Sequence, residues 1–137
     1  MVIEPGTQDE AEAVVEGLNR FNLSMEAPKG PTQQRLEWIA KTDRGIMMGG
    51  IFGVIGYWLG LEISILWVDE PFRRQGVGAA LLQKMESEAK KRGATVAMVD
   101  TFDFQAEGFY RKSGYLEVGR ISDFPKGRSK IYFHKSL

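Results

Sequence analysis

The sequence predicts one α/β domain over residues 1–137, with three antiparallel strands followed by alternating helices and strands. Three observations predict it. The run from Arg35 to Val68 is dominated by β-branched and aromatic residues interrupted by turn signals. A helix with clear ends follows, closing at Gly93. Beyond it, strand-like and helix-like segments alternate to the end of the chain. A 15.4 kDa chain is long enough to bury a substantial core, and 43% hydrophobic with 26% charged residues is ordinary for a globular protein.

Gln8 to Phe21 carries Ala11, Val14, Val15, Leu18 and Phe21 at helical spacing, with Thr7 as cap and Glu10 three residues on, which predicts a first helix. Ala27 to Gln33 is a loop by its Pro and Gly content. Three antiparallel strands are predicted at about Arg35–Thr42, Gly45–Ile55 and Trp58–Val68, with Asp43-Arg44-Gly45 as a turn. After Gly78, Leu81, Leu82, Met85 and Ala89 share one helical face, and Lys90, Lys91 and Arg92 occupy the last turn, where the helix dipole favours cations. Ala94 to Phe102 reads as a buried strand and Gln105 to Gly114 as a short helix. Tyr115–Ser122 and Ser129–Lys135 read as strands joined through Asp123 to Arg128. The element order is β-α-β-β-β-α-β-α-β-β, which places a strand ahead of the first helix.

The composition excludes several classes of function. Cysteine is absent, so there is no disulfide, no Cys metal site and no thiol nucleophile, which suits a reducing cytoplasm. The N-terminal residues lack the basic patch and apolar core of a signal peptide. Gly45 to Leu61 is uncharged with glycines four apart, but its six glycines cut it into strand-length pieces, so no membrane span is expected. Net charge is zero, yet thirteen Lys and Arg face seven Asp and Glu from Pro71 onward, while the segment up to Ala27 holds six acids and Arg20 alone. A basic second half favours an anionic ligand, and the overall balance argues against nucleic acid. His134 is the only histidine, with no paired carboxylate or serine motif, and reads as structural or surface. No zinc motif or Gly-x-Ser-x-Gly elbow exists, so no metal and no acyl-enzyme are expected.

Gly76-Val77-Gly78 opens the long helix. A helix start offers unpaired N–H groups and partial positive charge, and glycines let phosphate oxygens approach. A dinucleotide fingerprint would need glycine at position 81, which is Leu81, and a P-loop would need Gly-Lys-Ser/Thr, which is absent. Arg73, Arg74, Gln75 and the backbone through Ala79 can instead supply the cations and donors that a diphosphate requires.

Two segments carry a more specific resemblance. Arg73-Arg74-Gln75-Gly76-Val77-Gly78 resembles the Arg/Gln-x-x-Gly-x-Gly/Ala motif of the GNAT superfamily of acyl-CoA-dependent N-acetyltransferases. Ala106 through Tyr115, with Phe109, Tyr110, Lys112 and Gly114 in place, resembles its later Ala-x-x-(Phe/Leu)-Tyr-x-Lys-x-Gly-(Phe/Tyr) signature. The resemblance implies a twisted, mostly antiparallel sheet in which the strand ending at Val68 and the one ending near Thr101 form a splayed central parallel pair. The pantetheine arm of acetyl-CoA would enter that gap. It further implies cofactor contacts from Leu66, Trp67, Val68, Arg73, Arg74, Gln75, Gly76, Val77, Gly78, Ala79, Asp103, Phe109, Tyr110 and Lys112. The family often has Asn where Asp103 stands, and an acid cannot donate an amide N–H.

Moving an acyl group from a thioester to an amine requires an unprotonated amine, a donor for the tetrahedral oxyanion and an acid for the departing thiolate. By resemblance, Tyr110 is the acid and the Val68 backbone N–H the oxyanion donor. Glu62 stands where histone-acetyltransferase-like members carry a general base. Strand alternation would set it on one face with Ser64, Leu66 and Val68. A primary amine with pKa about 10 needs such a base at neutral pH. Asp69 and Glu70 could attract a cationic acceptor. The reading is direct acetyl transfer in a ternary complex to a small-molecule primary amine, with a non-catalytic CoA-binding or regulatory module as its rival. Oligomeric state stays open, the edge made by the last two strands being one that family members often use to form a homodimer.

Overall fold

In the computed structural model of the protein, which describes residues 1–137, one six-stranded sheet runs in the order β1-β2-β3-β4-β6-β5. Its strands are β1 (Gln34–Lys41), β2 (Met47–Ile55), β3 (Gly60–Val68), β4 (Val96–Phe102), β5 (Leu116–Ser122) and β6 (Ser129–Ser136), and its helices are α1 (Gln8–Met25), α2 (Val77–Lys91) and α3 (Glu107–Lys112). Every neighbouring pair is antiparallel except β3 and β4. The mixed, mostly antiparallel sheet with one central parallel pair is the one the family resemblance implies.

The leading strand is not formed: Pro5 and Gly6 break the short stretch before Thr7. The Thr7 side chain and Glu10 cap α1 reciprocally, as their spacing predicts, and the helix continues past Phe21 to Met25. β2 and β3 start later than predicted because Thr42–Ile46 and Gly56–Gly60 are turns closed by backbone bonds, Thr42 N to Ile46 O at 2.9 Å and Gly56 N to Gly60 O at 3.0 Å. The glycine-rich segment read against a membrane span is β2, a turn and the start of β3, and no helix is long and apolar enough to cross a membrane.

Alternation in the strands generates two faces. Leu36, Ile51, Ile55, Leu61 and Ile63 point to one side and meet Leu81, Leu82, Met85 and Ala89 of α2, the apolar face the periodicity identifies. Phe133 extends that core under α3, where Tyr110 lies 6.1 Å away between ring centroids. No helix of the chain covers the other face. Nor does α1 bury a single residue: Val14 is 72% and Phe21 60% exposed, although the helix is as amphipathic as the sequence suggests.

Pairing of β3 with β4 is confined to Gly60–Ile63 against Val96–Val99. Beyond Ile63, β3 runs on to Val68 beside β2, and β4 runs on to Phe102 beside β6. At the parting point the β2–β3 register shifts, Phe52 facing Ile65 and Gly53 facing Ile63, so Ser64 is an extra residue. Its hydroxyl donates to the Phe52 carbonyl at 3.2 Å. A bulge of this kind bends and twists the strand locally, and here it coincides with the opening of the gap.

Candidate active site

The bulge corrects one sequence-based expectation. Uninterrupted alternation would set Glu62 beside Leu66 and Val68, but the extra residue inverts the phase. Leu66 pairs with buried Ile51 and, with Val68, packs against the core on the helix-covered face. Glu62 pairs with Val54 and Met98 on the opposite, bare face.

Between Val68 and α2 the chain makes a short turn, Glu70–Phe72, whose start is capped by the Asp69 carboxylate accepting the Glu70 N–H at 2.8 Å. Arg73 Nε donates to the Val68 carbonyl at 2.9 Å and Gln75 Nε2 to the Pro71 carbonyl at 2.8 Å, so both side chains brace the loop. Gly76 follows in the left-handed region, φ 83°, where a side chain would be strained. Ala80 is the first residue of α2 to bond backward, N to Gly76 O at 2.9 Å. The N–H groups of Val77, Gly78 and Ala79 therefore have no helical partner, and no side chain caps them. A Cβ on Gly78 would sit at ordinary contact, 3.6 Å, from Val68 and Phe109. The position tolerates a methyl group but anything longer enters the opening.

A groove leads from this helix start into the gap. A cavity of about 340 Å³ at Arg73, Arg74, Gly76 and Ala79 shares Val68, Gly78 and Phe109 with one of about 510 Å³. That second cavity shares Leu66, Trp67, Gln105 and Ala106 with a third, of about 320 Å³, lined also by Ser64, Asp100, Thr101 and Tyr110. The third lies between the splayed strands and is lined from both faces of the sheet. The Asp69 N–H donates to the Met48 carbonyl at 2.9 Å, so strand alternation turns the Val68 N–H away from β2 and towards the gap. A Cβ on Gly49 would run into the Trp67 carbonyl oxygen, so glycine is needed for β2 to back this end of β3.

Tyr110 is 4% exposed, its ring edge-on to Phe109 at 5.2 Å and Tyr115 at 5.4 Å between centroids. Burial first, and then the Asp100 carboxylate, pushes its phenol up to about 12. The hydroxyl is therefore firmly protonated at neutral pH. Tyr115 is fixed in turn by donating to Glu86 Oε1 at 2.9 Å, and Lys135 Nζ holds the same carboxylate at 2.8 Å. Thr101, buried on β4, accepts the Ala106 N–H at 3.2 Å, while Gln105 Oε1 accepts the Phe102 N–H at 3.0 Å. These bonds shape the turn that launches α3 and so set where Tyr110 points.

Of the residues expected around the cofactor, Leu66, Trp67, Val68, Arg73, Arg74, Gly76, Val77, Gly78, Ala79, Phe109 and Tyr110 line this groove. Gln75 acts through the loop. Asp103 and Lys112 do not line it: the Asp103 carboxylate accepts the Ser129 N–H at 3.1 Å and lies 3.8 Å from Arg128, and Lys112 is exposed at the end of α3. Glu62 lines a separate cavity of about 520 Å³ on the bare face, with Met98, Tyr132 and His134, and Asp100 belongs to both that cavity and the gap. Asp100, Thr101 and Gln105 also line the gap, at positions that no motif in the sequence marks. Asp100 breaks the apolar run of β4, which was the signal available.

The profile of the acetyltransferase (GNAT) family matches residues 12–115. The chain belongs to the GNAT acetyltransferase family. Blasticidin-S acetyltransferase of Streptomyces morookaense is 38% identical over 69% of this chain and 70% of its own length. An acetyltransferase of Agrobacterium fabrum is 32% identical over 92% of this chain and 90% of its own. The crystal structure of a Bacillus cereus acetyltransferase superimposes with a TM-score of 0.92 at 37% identity, covering 100% of this chain and 98% of that one. The GNAT fold is also shared with a Bacillus anthracis chain assigned as a streptothricin acetyltransferase and solved in complex with acetyl coenzyme A, at a TM-score of 0.67 and 22% identity over 80% of this chain and 65% of that one.

Proposed function

We propose that this GNAT chain transfers an acetyl group from acetyl-CoA to a primary amine on a small molecule, directly and without an acyl-enzyme. The observation that carries the reading is the continuous groove from the unpaired N–H groups of α2 to Tyr110 in the gap. The residues fit the group: a diphosphate suits three free backbone donors beside two arginines, and an extended pantetheine arm suits a groove along the free edge of β3. Bound there, acetyl-CoA supplies an activated thioester.

The chain's own groups do the rest. The Val68 N–H, directed into the gap, is placed to stabilise negative charge on the thioester oxygen as the amine nitrogen bonds to its carbon. As the carbon–sulfur bond breaks, the protonated Tyr110 phenol gives its proton to the sulfur and is restored by the second proton that the nitrogen sheds, directly or through water, as the amide forms. The acceptor comes from the bare face through the gap. There Lys130 Nζ already holds one oxygen of Asp100 at 3.0 Å, and Glu62 takes the amine's proton directly or through water. The relative named for blasticidin S supports a small acceptor and adds that compound to the candidates.

Calorimetry with acetyl-CoA tests the first half, and no binding at millimolar concentration overturns the assignment. A thiol-release assay against blasticidin S, polyamines, amino acids, aminoglycosides and lysine peptides tests the second. Turnover confined to peptides or proteins refutes the small acceptor. Binding without turnover across the panel marks the chain as a non-catalytic CoA module.

A further inference from the structure

Two surfaces of this chain that carry exposed hydrophobic side chains lack a partner. One is the stripe of α1, where Val14, Val15, Leu18, Phe21 and Met25 are all exposed. The other is the bare face of the sheet. One register row crosses all six strands there, Arg35, Val54, Glu62, Met98, His134 and Leu116. Ile65, Val118 and Tyr132 lie exposed beside it. Isolated surface hydrophobics are common, but here they line a whole helix stripe and recur across a sheet face on which Arg35, Glu62, Asp100 and His134 are interspersed.

The surface area says how much is unburied. A folded monomer of 15.4 kDa exposes about 7,200 Å² by the usual scaling with mass. This chain exposes 9692 Å², an excess of about 2,500 Å². Two such chains hiding their excess in each other would bury about 5,000 Å² in total, in the range of obligate homodimers.

The dimensions match as well. The stripe from Ala11 to Met25 is about 21 Å long at 1.5 Å per residue, and six strands span about 24 Å between outer axes. The helix does not lie on its own sheet. Trp58 Nε1 donates to the Glu26 carbonyl at 3.4 Å and Lys29 N to the Tyr57 carbonyl at 2.8 Å, which fastens the exit of α1 to the β2–β3 turn. Pro28 and Pro31 then keep the connection out of helix, and it bends through residues 29–32 before β1.

We infer that the chain is a helix-exchanged homodimer, in which α1 of each copy lies across the bare sheet face of the other. A two-fold axis makes the exchange reciprocal and closed, and exchange of an identical element is a low-cost route to such dimers. The inference rests on area and shape alone, so it stands or falls apart from the proposed reaction.

Sedimentation equilibrium should give twice the mass of the chain at micromolar concentration. Phe21→Asp combined with Val15→Asp should give single-chain mass with unchanged far-UV circular dichroism, since neither residue is in the core. Pairing is read by a photo-cross-linker at Leu18 in an equal mixture of isotope-labelled and unlabelled chain that has been unfolded and refolded together. Mixed-isotope cross-links from α1 to β3, β4 or β6 are expected. A monomeric wild type, same-isotope cross-links only (a helix folded back on its own sheet), or a dimer cross-linked elsewhere, such as along β5, would each overturn the exchange.

Discussion

On one face of the sheet the row Leu36, Gly53, Ile63, Val99 and Phe133 lies under α2 and α3 and forms the core. On the other, the adjacent row from Arg35 to Leu116 lies bare, mixing Val54, Met98 and Leu116 with Glu62 and His134. The strands are the same and the rows differ by one residue. Two methionines make the contrast sharp: Met85 of α2, packed on the first face, is 0% exposed, and Met98 of β4, on the second, is 42% exposed. Strand alternation thus sorts residues into two sets without deciding which becomes core; a covering helix decides that. The candidate active site lies where the two faces communicate, at the gap opened beside the Ser64 bulge, with the groove from α2 and Tyr110 on the covered side and the proposed acceptor route on the bare side.

The strongest test of that division is on the covered side. Gly78→Glu should abolish acetyl-CoA binding in calorimetry, because its side chain would fill the groove and set a carboxylate against the diphosphate, while Gly78→Ala should retain binding. Tyr110→Phe should lower kcat by about 10²–10⁴-fold and leave acetyl-CoA affinity nearly unchanged. An unaltered kcat would reduce Tyr110 to packing, as part of the core rather than of the chemistry.

The methionine pair addresses stability directly. Met85→Ala should cost about 2–5 kcal/mol in urea unfolding, whereas Met98→Ala should stay within about 0.5 kcal/mol at dilutions where the chain is monomeric. Equal costs would show that the bare face is core after all.

Alkaline pH gives a graded measure of how well Tyr110 is shielded. Its phenol is raised by burial from 10.0 to about 12. Between those values the unfolded chain releases this proton and the folded chain keeps it. Stability therefore falls as pH rises through the window, by up to about 1.4 kcal/mol per pH unit. Urea midpoints at pH 9 and 11 should show this slope in the wild type and a shallower one in Tyr110→Phe. The mildest effect is expected on the bare side: Glu62→Gln should move the pH–rate profile to higher pH, where the amine deprotonates without help. A superimposable profile would leave proton removal to another group, with Asp100 the neighbour to test.

What the sequence determined by itself was whatever depends on neighbours a few residues apart. The capping box at Thr7, the α2 face at Leu81, Leu82, Met85 and Ala89, the Gly76-Val77-Gly78 helix start and the Tyr110 segment all lie within single contiguous stretches, so helical period and motif spacing suffice to find them. The tertiary structure decided what depends on pairing between distant strands. The extra residue at Ser64 exists only relative to Phe52 and Gly53, and it moved Glu62 to the face opposite Leu66 and Val68. Asp100 joined the site because β4 parts from β3 after Val99. Amphipathicity likewise told that α1 has a surface to bury but not where, since burial is non-directional and its partner surface is fixed only when the whole chain has folded.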